Sequence, residues 1–145
     1  MNIQLWWLPF IATMALVASY QDIRHRKIPN GVVIVITLLG VFFVFKQGRY
    51  EQLAMPIPVL AIGALLFYFN IMAAGDSKLL AAYSLMISPN YFPLTVFIIV
   101  SAGGALAISQ WVVSQMTGNA NWVNKGVPYG VPICLGSLLG IAASL

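Results

Sequence analysis

The chain is 145 residues long, 61% hydrophobic and only 7% charged, with a mean hydropathy of +0.91. That balance excludes a water-soluble globular domain of ordinary composition and predicts a single-domain polytopic membrane protein over residues 1–145, all-α, with about six transmembrane helices. Seven Lys and Arg stand against Asp22, Glu51 and Asp76, a formal net charge of +4, and in so apolar a chain this excess reports loop orientation; nucleic acid is not an expected partner.

The first span covers about residues 3–20, with Trp6 and Trp7 near its start, where indole rings favour the interface. No basic segment precedes it and no small-residue cleavage site follows, so it reads as a retained helix. A polar patch follows, Gln21, Asp22, Ile23, Arg24, His25, Arg26 and Lys27, and Ile28, Pro29 and Asn30 lead into a second span over residues 31–45. Its Val and Ile do not argue for strands, because a lipid-exposed segment must satisfy its own backbone hydrogen bonds. Residues 46–52 form a polar loop. A third span over residues 53–74 carries Pro56 and Pro58 in its first turns, where a missing N–H costs least.

Gly75, Asp76, Ser77 and Lys78 then break the apolar run, and the fourth stretch, residues 79–87, is too short to cross a bilayer alone. Its helix is expected to begin near Asp76 and to be thin, tilted or sheltered by neighbours. Ser88, Pro89, Asn90 and Pro93 mark a turn before a fifth span over residues 94–116, in which Ser101, Gly103, Gly104 and Ala105 allow close helix approach. Residues 117–125, with Trp122, form the next loop. The last span ends at Leu145 and carries Gly136 and Gly140 at a close-packing spacing.

With the amino terminus outside, the inner loops hold Arg24, Arg26, Lys27, Lys78 and Lys125, and the outer loop holds Lys46 and Arg49. The basic residues therefore favour that orientation. It puts Asp22, Asp76 and the segment before the last span on one cytoplasmic face.

A carboxylate at a membrane helix centre costs about 2.5–3.5 kcal/mol, less near an interface, so Asp76 needs a reason to be there. Asp22 and Asp76 are 54 positions apart, yet each sits at an inner helix end, so the fold can bring them together. Two close carboxylates cannot both ionise cheaply and would share one proton at neutral pH. The charged member can then take a proton from water while the neutral one donates to a peptide carbonyl or leaving amine. That is aspartyl-protease chemistry.

His25 is the sole histidine and Cys134 the sole cysteine, so a two-histidine metal site, a thiol-based metal site and an internal disulfide are excluded, and no cofactor or metal is expected. Other accounts stay open at this point. Asp76 with Ser77 can cap the fourth helix, and Asp22 can pair with Arg24, Arg26 or Lys27 as an ordinary boundary residue. His25 reads as solvated, and Cys134 as a small apolar residue.

Three motifs carry a family resemblance. Residues 22–30, D-I-R-H-R-K-I-P-N, resemble the first aspartate motif of the type IV prepilin peptidases. Residues 73–79, A-A-G-D-S-K-L, resemble the family's G-x-G-D-x-K-L motif, and residues 127–130, V-P-Y-G, resemble the motif that opens its last helix. The small size is similar to that of the short members associated with tight-adherence (Flp-type) pili.

The resemblance implies a bacterial inner-membrane aspartic endopeptidase that removes a short basic leader from prepilin-like substrates, cutting after a glycine at the cytoplasmic face. It implies Asp22 and Asp76 as the catalytic aspartates, with Gly75 letting substrate backbone come close, Lys78 holding the loop or acting on the dyad, and Arg24, Pro128 and Tyr129 adjacent to the site. The partners implied are a prepilin-like protein and the lipid bilayer, with a homodimer left open. Two departures matter. The first motif glycine is Ala73, which matters if that position needs a positive φ and not if it needs only a small residue. The cysteine-tetrad domain of larger bifunctional members has no counterpart, so methyl transfer is not expected. Two further readings remain, a non-catalytic assembly component of a pilus or secretion system and a small proton-coupled transporter.

Overall fold

The structure is a computed structural model that describes residues 6–118, 121 and 126–145. The expected start of the first span at residue 3, the loop residue Trp122 and the loop cation Lys125 lie outside the described residues. Six α-helices and one 3-10 helix are described, with no strand among these residues: α1 Trp7–His25, α2 Asn30–Gln47, the 3-10 helix Tyr50–Ala54, α3 Pro56–Tyr68, α4 Ala74–Ser84, α5 Phe92–Thr117 and α6 Gly130–Ser144. The all-α expectation is met.

Two boundaries differ from the sequence reading in ways that shape the site. α1 runs past residue 20 to His25, because nothing in that stretch breaks a helix, so Asp22 stands on a helix rather than in a loop. The helix stops at Arg26, which adopts a left-handed φ of 53° while its N–H closes onto the Asp22 carbonyl at 2.9 Å. α3 stops at Tyr68, short of the expected residue 74. Asn70 takes a left-handed φ of 56°, its N–H bonding the Phe67 carbonyl and that of Ile71 the Leu66 carbonyl, both at 2.9 Å. This pair of bonds is a Schellman closure, and asparagine is among the few side chains that tolerate the conformation it needs.

α4 has 11 residues, about 16 Å at 1.5 Å per residue, well short of a bilayer core. It is sheltered, as expected. It packs against α2, α3 and α6, and Leu79, Tyr83 and the following Leu85, Met86 and Ile87 are fully buried. Ile11 and Ala18 of α1, Ile36 and Phe43 of α2, and Ile133 and Ile141 of α6 complete this core. Where helices approach closely, glycine makes the room. A Cβ on Gly63 would lie 2.5 Å from the Ser77 Cβ, and those on Gly136 and Gly140 would run into Ile99 and Thr95 of α5. Of the small residues on α5, Gly103 receives the Tyr129 ring, whereas Gly104 has open space around it.

Asn30–Gln47, Tyr50–Tyr68 and Phe92–Thr117 are long and apolar enough to cross a membrane, and Gly130–Ser144 is a shorter apolar helix. Leu38, Ile57, Phe97 and Ile108 each point outward, more than half exposed. So continuous an apolar girdle is unfavourable in water and suits lipid. The helices alternate in direction. One end of the bundle gathers the end of α1 and the starts of α2, α4 and α6, and the other holds the loop after α2, the turn after α4 and the end of α6.

Candidate active site

At the first of these ends the helix termini enclose a cleft of about 440 Å³. Asp22, Arg26 and Lys27 reach it from α1 and the turn that follows, and Asp76 and Lys78 from the first two turns of α4. Gly126 and Val127, on the segment entering α6, form part of its wall. The two aspartates that sequence separates by 54 positions thus share one cavity, near enough for the Asp22 charge to act on Asp76. Each is only 6% exposed.

Both carboxylates lie beside a helix N-terminus. The Gly130 N–H, at the first residue of α6, donates to Asp22 Oδ2 at 2.8 Å. Asp76 is the third residue of α4 and lies against the backbone N–H of Ala73, the residue that caps that helix. This is the position from which, in a capping box, an acid reaches back toward the cap N–H. Both carboxyl groups therefore lie near the positive pole of a helix, Asp76 at that of its own and Asp22 at that of a neighbour. A helix pole contributes about 0.3–1 kcal/mol, up to about 2 in partly buried geometry, against a burial cost of several kcal/mol per ion. The poles offset only part of that cost, so the pair is a local expense to the fold.

Gly130 closes the V-P-Y-G motif, and the structure gives it a part of its own. Its meaning is steric: a Cβ there would fall 2.7 Å from Asp22 Oδ2, so no larger residue lets the amide approach the carboxylate this closely. Arg26, in sequence one cation of a basic run, takes a specific place. Its guanidinium Nη1 donates to the Gly126 carbonyl at 2.7 Å, and its charge acts on Asp22.

Of the residues the sequence pointed to, Asp22, Asp76, Gly75 and Lys78 line the cleft, with Lys78 exposed at its rim. Arg24, Pro128 and Tyr129 do not. Arg24 donates to the Tyr20 hydroxyl at 2.6 Å with its guanidinium 5.9 Å from that ring, a pairing within α1. Pro128 is buried, and the Tyr129 ring is turned toward Gly103 of α5. Asp22 is buried and accepts a backbone N–H, while Arg24 bonds Tyr20 and Arg26 bonds Gly126, so a surface ion pair with either arginine does not describe the site.

Gly75 has a Cβ direction open to ordinary contact, 3.6 Å from the Ile28 Cβ, and no left-handed backbone. Its small size widens the cleft wall rather than serving a special conformation. Ala73 has φ −74° and ψ 149°, extended backbone that any residue adopts, so alanine in place of the motif glycine is unstrained. Ser77 is buried and turns its hydroxyl toward the Ala73 carbonyl at 3.4 Å.

A comparison with protein-family profiles matches residues 9–108 to the type IV leader peptidase family. Comparisons with curated proteins and with solved structures gave no match. The matched residues span both aspartates but stop before V-P-Y-G, whose link to the site is the Gly130 hydrogen bond. A match over more than two thirds of the sequence, around a cleft built on the two motif aspartates, leads to one conclusion: the chain belongs to the type IV leader peptidase family.

Proposed function

We propose that this member of the family is an aspartic endopeptidase, a single membrane domain of six spans in the bacterial inner membrane, which removes the short basic leader of Flp-type prepilins at the cytoplasmic face. The observation that carries the reading is the convergence of Asp22 and Asp76 on one cleft, each at a helix N-terminus. Asp22, anchored by the Gly130 N–H and facing the Arg26 cation, suits the role of the charged member. It takes a proton from the attacking water while Asp76 donates one to the scissile carbonyl oxygen. The tetrahedral diol then collapses, its proton passing through the dyad to the leaving amine, which restores the single shared proton. Methyl transfer is not part of the proposal.

The unstrained backbone of Ala73, where the motif has glycine, is compatible with an active enzyme and supports this reading over that of a non-catalytic assembly component. Both aspartates lie at one end of the bundle, which speaks against a relay through it. The test is coexpression with a matched Flp-type prepilin. Wild type should release the leader, and Asp22→Asn or Asp76→Asn should leave the prepilin uncut; leader removal that survives either substitution refutes the dyad.

A further inference from the structure

Arg26 is the residue that the bundle treats least like its neighbours. It ends α1 in a left-handed conformation, φ 53° and ψ 27°, where glycine is the usual occupant and where a side chain is strained. From that backbone its guanidinium crosses to the Gly126 carbonyl at 2.7 Å, joining the end of α1 to the segment that leads into α6. Four residues further on, the Gly130 N–H meets Asp22 Oδ2. The opposite side of the same segment is seated by the Tyr129 ring against Gly103, where a Cβ would lie 2.5 Å from the ring. Residues 126–130 are thus held from two directions, and the Arg26 side is the only one of the two that borders the cleft.

We infer that Arg26 is a positioning residue. Its tether to Gly126 sets the start of α6 at the height that brings the Gly130 amide onto Asp22, and the strained cap is retained because glycine, which would relieve it, has no side chain to make the tether. A misplacement of about 1 Å at a reacting group costs on the order of 10²-fold in rate, so loosening this one contact should be felt in catalysis before it is felt in folding. The role rests on the proposed peptidase reading for its catalytic consequence, but the tether itself does not.

Arg26→Gly separates the two. In the full-length protein in nanodiscs, glycine suits the left-handed cap, so the melting temperature should equal or exceed that of wild type. Hydrogen–deuterium exchange of the Gly130 amide should rise about tenfold or more as its partner is lost to it part of the time. Leader release should fall about 10–100-fold in kcat with KM little changed, and Arg26→Lys, which keeps a cationic donor, should recover part of it. Arg24→Gly is the matched control and should leave Gly130 exchange unchanged. Unaltered Gly130 exchange in Arg26→Gly overturns the tether whatever the activity. Faster exchange with undiminished kcat overturns its catalytic role. If wild type cleaves no prepilin, it is the peptidase reading that fails, and the exchange result still decides the tether.

Discussion

The two ends of the bundle use one helix in opposite ways. At its start α6 offers a backbone N–H to the Asp22 carboxylate, and at its finish the Ser144 carbonyl accepts from Arg49 Nη1 at 3.0 Å. An anion at the N-terminus and a cation at the C-terminus both match the helix dipole. The far end is closed: the Ser144 hydroxyl accepts the Ser88 N–H at 2.8 Å and donates to the Gly140 carbonyl at 2.7 Å, stitching α6 to the turn after α4. The near end is open, with two buried carboxylates, each beside a helix N-terminus, around a cavity of about 440 Å³. The same electrostatics thus ties loops at one end and holds a carboxylate beside an open cleft at the other. The difference is that the carboxyl groups face a cleft, whereas Arg49 joins a loop to a helix end.

The strongest way to break this contrast is at the aspartates. Asp22→Asn and Asp76→Asn should each lower leader release by roughly 10²–10⁴-fold, the usual contribution of a positioned acid or base. Because the helix poles only partly offset the burial of charge, melting temperatures should hold or rise. A variant that melts lower yet cleaves normally per folded molecule would mark its aspartate as a helix cap and nothing more.

Gly130→Ala comes next. Its methyl would lie 2.7 Å from Asp22 Oδ2, so either α6 or the carboxylate must shift, and cleavage should fall on the order of 10–100-fold. Gly104→Ala, with open space around it, is the comparison and should change cleavage less than about twofold. Equal effects of the two substitutions on cleavage would remove Gly130 from the site.

The closed end should respond in the other currency. Arg49→Ala removes a half-buried charged hydrogen bond and should cost about 1 kcal/mol of stability, seen in thermal or denaturant unfolding, while cleavage per folded molecule stays near wild type. Loss of cleavage at full stability would mean that the two ends are coupled. The smallest effect is expected at Ala73→Gly. From sequence alone this change promises equal or higher cleavage, but an extended φ of −74° gives glycine no conformational advantage. Cleavage should change less than about twofold, with at most a few tenths of a kcal/mol lost to chain entropy. A clear gain in a cleavage assay would show that bulk, not backbone, limits the site there.

Much of this protein is legible in the order of its residues. Long apolar runs predict helices because lipid leaves the backbone no other partner, and Asp22 and Asp76 stand out because charge is costly in such surroundings. The short fourth stretch already implies shelter by its neighbours. Helix ends are less legible. The polar run after Tyr20 reads as a loop but continues α1, since polar residues need not break a helix, and the closure at Asn70 depends on a single left-handed residue.

Tertiary structure alone decided which residues meet. Arg24 and Arg26 are the same residue type two positions apart, yet one folds back on Tyr20 and the other crosses to Gly126, because Arg26 leaves the helix and Arg24 does not. Gly130 acquires its part only when α6 is laid against α1, a contact across 108 positions that no local pattern encodes. The sequence by itself determined that two carboxylates would be buried in a helical membrane protein, because composition sets the solvent. Packing decided what holds them, because a hydrogen bond between helices depends on a separation of a few tenths of an ångström that only the assembled bundle defines.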